Sequence, residues 1–392
     1  MAVSGVYSKE EEEMLAEWRV RADELVGWLG DTPDNFRTYP VMHRVATKDL
    51  ILHMAYAADY WNPLWRDENY ARNTRWGGII APPVFQHCIA HRGGLNYGLK
   101  VPPELGTYSL DFAGDYWDFF KPIYVNDSFR VWINRVIIED VTKEWDEMGR
   151  RQFRFTAPVS YINQRDEVTA IVYEHRIATI TPPGMKKPAP KFTTEYVYTK
   201  EEIAAIDSIA DAEEIRGAKP LYWEDVKVGE EPKPIVSGPI TVWDQAVEMQ
   251  GYGIAYLPLR EVRRRTPRMI VVDPVTNIPH KGIEFHLSER AAQILGSYST
   301  TINYPTIEHF LARLITSWMG DDGFLKNLYC LKLSNTPLGD TIFGRGKVTK
   351  KYISEEGEHL VDLDVWFESI RGFIPDAATA TVSLPSKEEI FI

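Results

Sequence analysis

Near the start of the chain, apolar residues recur at helical spacing. Over residues 9–29, Leu15, Trp18, Leu25 and Trp28 share one face, acids fill the first turn and Gly30 stands just past the end. This pattern predicts an amphipathic helix. Strict alternation in VWINRVII, QFRFTAPVSYI, HLVDLDVWFES and ATATVSL predicts amphipathic antiparallel strands. The prolines and lysines of TPPGMKKPAPK (181–191) interrupt any regular element, and a charged helix over about 200–216 follows. The expected organisation is an N-terminal domain with its leading helix over 1–181, a linker with a short helix over 182–218, and a C-terminal domain over 219–392.

The two sides of that break repeat one another. KDLILHMAYAADY, NPLWRDENYARNTRWGGII, a helix from about Pro83 to Tyr97 and strands to Ile180 make the first half. TVWDQAVEMQGYG, EFHLSERAAQILGSYS, TIEHFLARLITSWMG and strands to Leu384 follow in the same order. Each half also carries a turn signature, Pro122/Asp127/Ser128 and Pro337/Asp340/Thr341. The economical architecture is α+β: one long helix wrapped by a curved antiparallel sheet, used twice.

Composition narrows the functional classes. At 392 residues and 44% hydrophobic, the chain is long enough for two or three units that each bury a core. Its net charge of -12 disfavours a protein that coats nucleic acid, which needs a basic surface. Cys88 and Cys330 are the only cysteines, so no disulfide framework or cysteine zinc cluster can form. The N-terminus is acidic where a signal peptide is basic, and no apolar run approaches a membrane span. A soluble cytoplasmic protein is expected. Without a Gly-rich phosphate loop, a GxSxG elbow or a Cys-His nucleophile pattern, hydride, kinase and serine-hydrolase chemistry have no support.

The segment DYWNPLWRDENYARNTRWGGIIAPPVF resembles the overhang segment of the MaoC-like (R)-specific enoyl-CoA hydratases, whose pattern is Asp-x-Asn-Pro-x-His-x-Asp and then Ala. HLSERAA, LITSWMGDDGFLKNL, PLGDTIFGRGKV and TATVSLPS resemble the partner domain of the double-hotdog acyl dehydratases. The resemblance implies a double hotdog that adds water to, or removes it from, an enoyl-CoA or 3-hydroxyacyl-CoA thioester. An Asp and a His would hold that water. One group draws a proton from the water while another serves Cα, and N–H donors at the hotdog helix stabilise the thioester oxygen.

The first half departs from this pattern. Asn62, Pro63 and Asp67 match, but Trp65 takes the His position and Asp59 sits one residue early, with Tyr60 where the acid belongs. Tryptophan cannot shuttle a proton, and the two prolines of APPVF remove backbone donors. This half is expected to bind substrate, through Asn62 and Trp65. In the second half His286 precedes Ala292 by the interval that separates Trp65 from Ala71, so His286 occupies the catalytic His position. Lys281 stands where its acid would be, which leaves Asp273 or Asp59 as partner. The expected catalytic set is His286, Asp59 and Tyr60.

Arg260, Arg263, Arg264, Arg265 and Arg268 form a cationic stretch in an acidic chain. Guanidinium groups suit the phosphates of coenzyme A, and a solvated loop or subunit contact is the competing reading. Substrate contacts are assigned to Arg263, Arg264 and Arg265. Trp61, Trp65, Trp76, Tyr116 and Trp117 fit an acyl pocket or a plain core equally well. His87 and His91 lie four apart, as metal ligands can, but ordinary packing is preferred and no metal is expected. Asp321 and Asp322 read as a turn after Gly320. No cofactor is expected beyond coenzyme A as part of the substrate, and no nucleic-acid or membrane partner. A homodimer is expected. The alternatives are a hotdog thioesterase and a catalytically silent acyl-CoA-binding subunit.

Overall fold

The computed structural model describes residues 5–29, 41–90, 99–142, 150–185, 194–253, 258–265, 270–295, 297 and 299–388. The chain divides into two compact units, Met1–Arg44 with Ala90–Lys121 and Ser128–Ala189, and Val45–Ile89 with Pro122–Asp127 and Pro190–Ile392.

The first unit opens with α1 (Lys9–Asp23), started by a capping box between Ser8 and Glu11. The helix is shorter than its periodicity predicts. Gly27 adopts a positive φ, and the chain turns into β1 (Gly27–Trp28). Trp28, expected on the helix, instead pairs with Trp132, their rings 5.0 Å apart and edge to face. The remaining strands are β2 (Thr107–Phe119), β3 (Phe129–Ile133), β4 (Ile137–Asp140), β5 (Arg151–Asn163) and β6 (Val168–Thr181). Their antiparallel order is β1-β3-β5-β6-β2, with β4 also on β5. Trp18 of α1 is fully buried, with its ring 5.5 Å from those of Phe153 and Phe155 and its Nε1–H donating to Lys100 O at 2.8 Å. That burial and bond fix α1 on the sheet.

The second unit holds helices α2 (Lys48–Ala58), α3 (Glu68–Arg72), α4 (Gln86–Ile89), α5 (Lys200–Asp211), α6 (Val242–Gly251), α7 (Leu259–Arg265), α8 (Glu289–Ile294) and α9 (Tyr304–Met319). Its main strands are β7 (Ile235–Ser237), β10 (Phe324–Lys332), β11 (Ile342–Ile353), β12 (His359–Ser369) and β13 (Asp376–Ser383), in the antiparallel order β10-β13-β12-β11-β7. A small hairpin pairs β8 (Ile270–Val272) with β9 (Pro279–Lys281). The long helix α9 is buried along nearly its whole length and lies against β10, β11, β12 and β13. This is the wrapped helix that the sequence leads one to expect, in an α+β chain of double-hotdog type. In the first half the corresponding helix is described only over α4, and residues 91–98 of the expected span lie outside the described residues.

The repeat-related helices α2 and α6, each capped by a threonine (Thr47 and Thr241), pack on one another. Gly251 permits the close approach, since a Cβ there would stand 2.4 Å from Ala57 Cβ. Both cysteines are buried free thiols. Among the described residues no helix is long and apolar enough to cross a membrane.

Candidate functional site

Two overhang segments of one design belong to the second unit. Asn62 Oδ1 accepts the Leu64 N–H at 3.1 Å and caps a 3-10 turn, Pro63–Trp65. Asp67 then caps α3 by accepting the N–H groups of Asn69 and Tyr70. In the second half a 3-10 turn, Gly282–His286, runs into Ser288, whose hydroxyl caps α8 through Ala291 N–H. Trp65 and His286 therefore each end their turn two residues before the cap. Ala71 and Ala292 are both fully buried, and at the same interval Ile80 bridges Tyr124 while Thr301 bridges Pro337. The register inferred from one pair of alanines holds along the whole segment.

Trp65 and Asp59 meet in the first segment. The Trp65 Nε1–H donates to Asp59 Oδ2 at 2.8 Å, with both side chains buried. Burial raises the Asp59 pKa, while the Trp65 bond, the Arg313 charge and the Asn62 bond pull it back. An indole N–H only donates, so the pair cannot exchange a proton with water as an Asp–His pair does. Asn62 and Trp65 are thus drawn together with Asp59. Tyr60 belongs to a surface aromatic group instead, its ring 5.5 Å from Tyr56 and 4.6 Å from Trp61, with the Arg66 guanidinium 5.0 Å from its centroid.

His286 is buried to 9% exposure, with Nδ1 2.8 Å from Thr301 O. A carbonyl oxygen only accepts, so Nδ1 carries a proton, and in the neutral form of the ring the basic nitrogen is Nε2. The Phe285 ring lies 3.8 Å from the imidazole. Asp273, one of the two acids considered as a partner for His286, is bound by Arg290 through two 2.7 Å bonds and caps its own turn through Val275 N–H. The Arg290 bonds hold its pKa far below the ordinary carboxylate range. Glu284 accepts from Lys281 N–H at 2.9 Å and meets His280 Nδ1 at 2.8 Å.

Arg263 and Arg264 are exposed on α7, Arg264 lying 3.6 Å from Glu261. The side chain of Arg265 lies outside the described residues. After α9, Gly320 at φ 72 begins the Asp321–Asp322 turn. Asp321 accepts the Tyr70 hydroxyl at 2.5 Å, and its backbone oxygen accepts Trp76 Nε1–H at 2.8 Å. That turn clamps the α3 segment, so Trp76 anchors the fold here. In the first unit, Trp117 is fully buried and stacks on Phe119.

Sequence reasoning assigned His87 to ordinary packing and missed the buried polar residues that gather around it and the start of α9. His87 Nε2 lies 2.6 Å from Glu308 Oε2, both side chains wholly buried. Tyr252 Oη lies 2.9 Å from His309 Nδ1 and 3.2 Å from Glu248 Oε2. A signal was present: Pro83-Val84-Phe85-Gln86-His87 and Pro305-Thr306-Ile307-Glu308-His309 share a Pro and, four residues on, a His. His91, the other half of the metal spacing, lies outside the described residues.

Residues 38–168 match the sequence profile described as FAS1-like, dehydratase domain region. The fold matches a solved MaoC-like dehydratase with a TM-score of 0.59 at 15% identity, over 93% of this chain and 100% of that one. A putative MaoC domain protein dehydratase from Chloroflexus aurantiacus J-10-fl aligns at 12% identity and a TM-score of 0.48, over 91% and 99% of the two chains. A conserved hypothetical protein of Mycobacterium tuberculosis, described as having a double hotdog fold, aligns at 9% identity and a TM-score of 0.48, over 87% and 93%. No curated protein matches the chain in sequence. The sequence match is thus to a FAS1-like dehydratase region over residues 38–168, and the fold is that of a solved MaoC-like dehydratase.

Proposed function

We propose that this chain, with the fold of a MaoC-like dehydratase, is a hydro-lyase that adds or removes water across Cα–Cβ of an enoyl-CoA or 3-hydroxyacyl-CoA thioester, with His286 as its acid/base. The observation that carries the reading is the placement of His286. It ends the overhang turn in register with Trp65, and its Nδ1 is tied to Thr301 O, which leaves Nε2 the basic atom. A general base needs that tautomer. The first half contributes shape in place of proton transfer, because the Asp59 carboxyl is buried against an indole donor. The exposed Arg263 and Arg264 suit the phosphates of the coenzyme.

The test is a panel of enoyl-CoA and 3-hydroxyacyl-CoA thioesters of graded chain length, followed by the gain or loss of conjugation absorbance. Turnover that disappears in His286→Ala supports the assignment. Release of free thiol without a change in conjugation identifies a thioesterase. The buried Asp59–Trp65 pair favours one second reading, a silent acyl-CoA-binding subunit. Tight thioester binding without turnover by the wild type would establish it.

A further inference from the structure

The β8–β9 hairpin holds its apolar residues out in water. Val272, Val275 and Ile278 are 52%, 77% and 53% exposed, and Pro274, Thr276 and Asn277 between them are exposed as well. Backbone and side-chain bonds fix this tip. Asp273 N–H donates to Ile278 O and Asn277 N–H to Asp273 O, both at 2.9 Å, with Asn277 at a φ of 58, and Asp273 Oδ1 accepts Val275 N–H at 2.8 Å. Arg290 of α8 grips the same carboxylate and ties the turn to the rest of the unit. No charged residue stands between 274 and 278, and Asp273 at the base is buried and paired. The tip can therefore leave water without stripping an unpaired charge.

Helix α7 packs on β9 of this hairpin. Val262 anchors the helix at 4% exposure, while Arg260, Arg263 and Arg264 are exposed. Four arginines stand against one glutamate, Glu261, in a helix of seven residues, although the chain as a whole carries a net charge of -12. A fixed apolar tip beside a cationic helix is complementary to a surface that is negative outside and oily beneath. The strands of the hairpin are three residues long, roughly 10 Å, comparable to the depth of about 5–10 Å at which surface-bound elements bury their apolar face. Branched aliphatic side chains without Trp or Tyr lack the anchors on which protein partners usually depend, and an oily phase requires none.

We infer that the β8–β9 tip docks the protein peripherally on an anionic lipid bilayer, with Val272, Val275 and Ile278 below the headgroups and Arg260, Arg263 and Arg264 at the lipid phosphates. The inference is independent of the hydro-lyase reading. It revises the expectation of no membrane partner, which rests on the lack of a spanning segment in the sequence and does not bear on peripheral contact.

Cosedimentation of the full chain with vesicles of phosphatidylcholine alone, or of equal parts phosphatidylcholine and phosphatidylglycerol, tests it. The protein should pellet with the mixed vesicles and stay largely in solution with the neutral ones. Raising the salt from about 0.1 M to about 1 M, which shortens the screening length from about 10 Å to about 3 Å, should release it. Val275→Asp combined with Ile278→Asp should lower the partition more than tenfold, because burial of even one such side chain is worth about that factor. Its Tm should match the wild type, since both side chains are exposed. Arg260→Ala, outside the set assigned to the coenzyme, should lower the partition roughly fivefold. A wild type that stays in solution with the mixed vesicles overturns the inference. Equal pelleting by the double variant also overturns it, because the contact then lies elsewhere on the surface. If the double variant converts a dimer in solution to a monomer, a second copy covers the tip and the membrane assignment falls. Each of these outcomes leaves the turnover of soluble thioesters, and with it the hydro-lyase reading, to be decided on its own.

Discussion

The Trp65 indole N–H donates to Asp59 Oδ2 across 2.8 Å in a buried setting, so position 65 reaches the acid although the two are one residue further apart than the hydratase motif places them. The contact survives while the chemistry does not, because an indole has no lone pair with which to take a proton. Trp65→Phe removes the donor and leaves a buried carboxyl short of a partner. A loss of about 1–3 kcal/mol is expected, seen as a lower Tm in thermal denaturation. Trp65→His should not raise turnover above wild type, since Asp59 stands one residue earlier than the dyad spacing places the acid.

His286→Ala should depress kcat by roughly a hundredfold to ten-thousandfold with little change in KM, the usual effect of deleting a positioned acid or base. Steady-state kinetics on the most rapidly turned-over thioester of the panel measure it. Near-wild-type turnover would remove His286 from the chemistry.

Combined replacement of Arg263, Arg264 and Arg265 by alanine should raise KM far more for CoA thioesters than for pantetheine analogues, which lack the nucleotide phosphates. Equal changes for both would show that α7 does not read phosphate.

Asp376 is buried at the start of β13, opposite Lys332. Burial raises its pKa from 3.8 to about 8, against the Lys332 charge and with the Glu308 charge adding to the rise. A carboxyl whose folded pKa is raised favours the fold in its protonated form. Its contribution is complete below the unfolded value near 3.8 and is lost as pH climbs towards 8. Asp376→Asn keeps the neutral shape at every pH. Its Tm should exceed that of the wild type at pH 9, with the gap closing towards pH 4.

Gly251→Ala places a Cβ 2.4 Å from Ala57 Cβ, forcing α2 and α6 apart. Overpacking of this kind typically costs about 1–3 kcal/mol. An unchanged denaturant midpoint would mean that the two helices separate freely.

Much of this protein was legible before any coordinates. Alternation over QFRFTAPVSYI and HLVDLDVWFES marks β5 and β12 because side chains on a strand alternate faces. The α9 span follows from its apolar run and from Gly320 at its end. The interval from Trp65 to Ala71, repeated from His286 to Ala292, locates both overhang segments, because one turn, one cap and one buried alanine recur at fixed spacing. What lay beyond the sequence depends on which elements pack together. Trp28 has helical spacing, yet Gly27 and its partner Trp132 put it on a strand. His87 reads as half of a metal spacing until Glu308, 221 residues away in sequence, is found 2.6 Å from it. Asp273 looks available as an acid until Arg290 takes both of its oxygens. The polar cluster at the start of α9 exists only because a hydrogen-bond partner is set by distance in space, and a one-dimensional pattern carries no record of that distance.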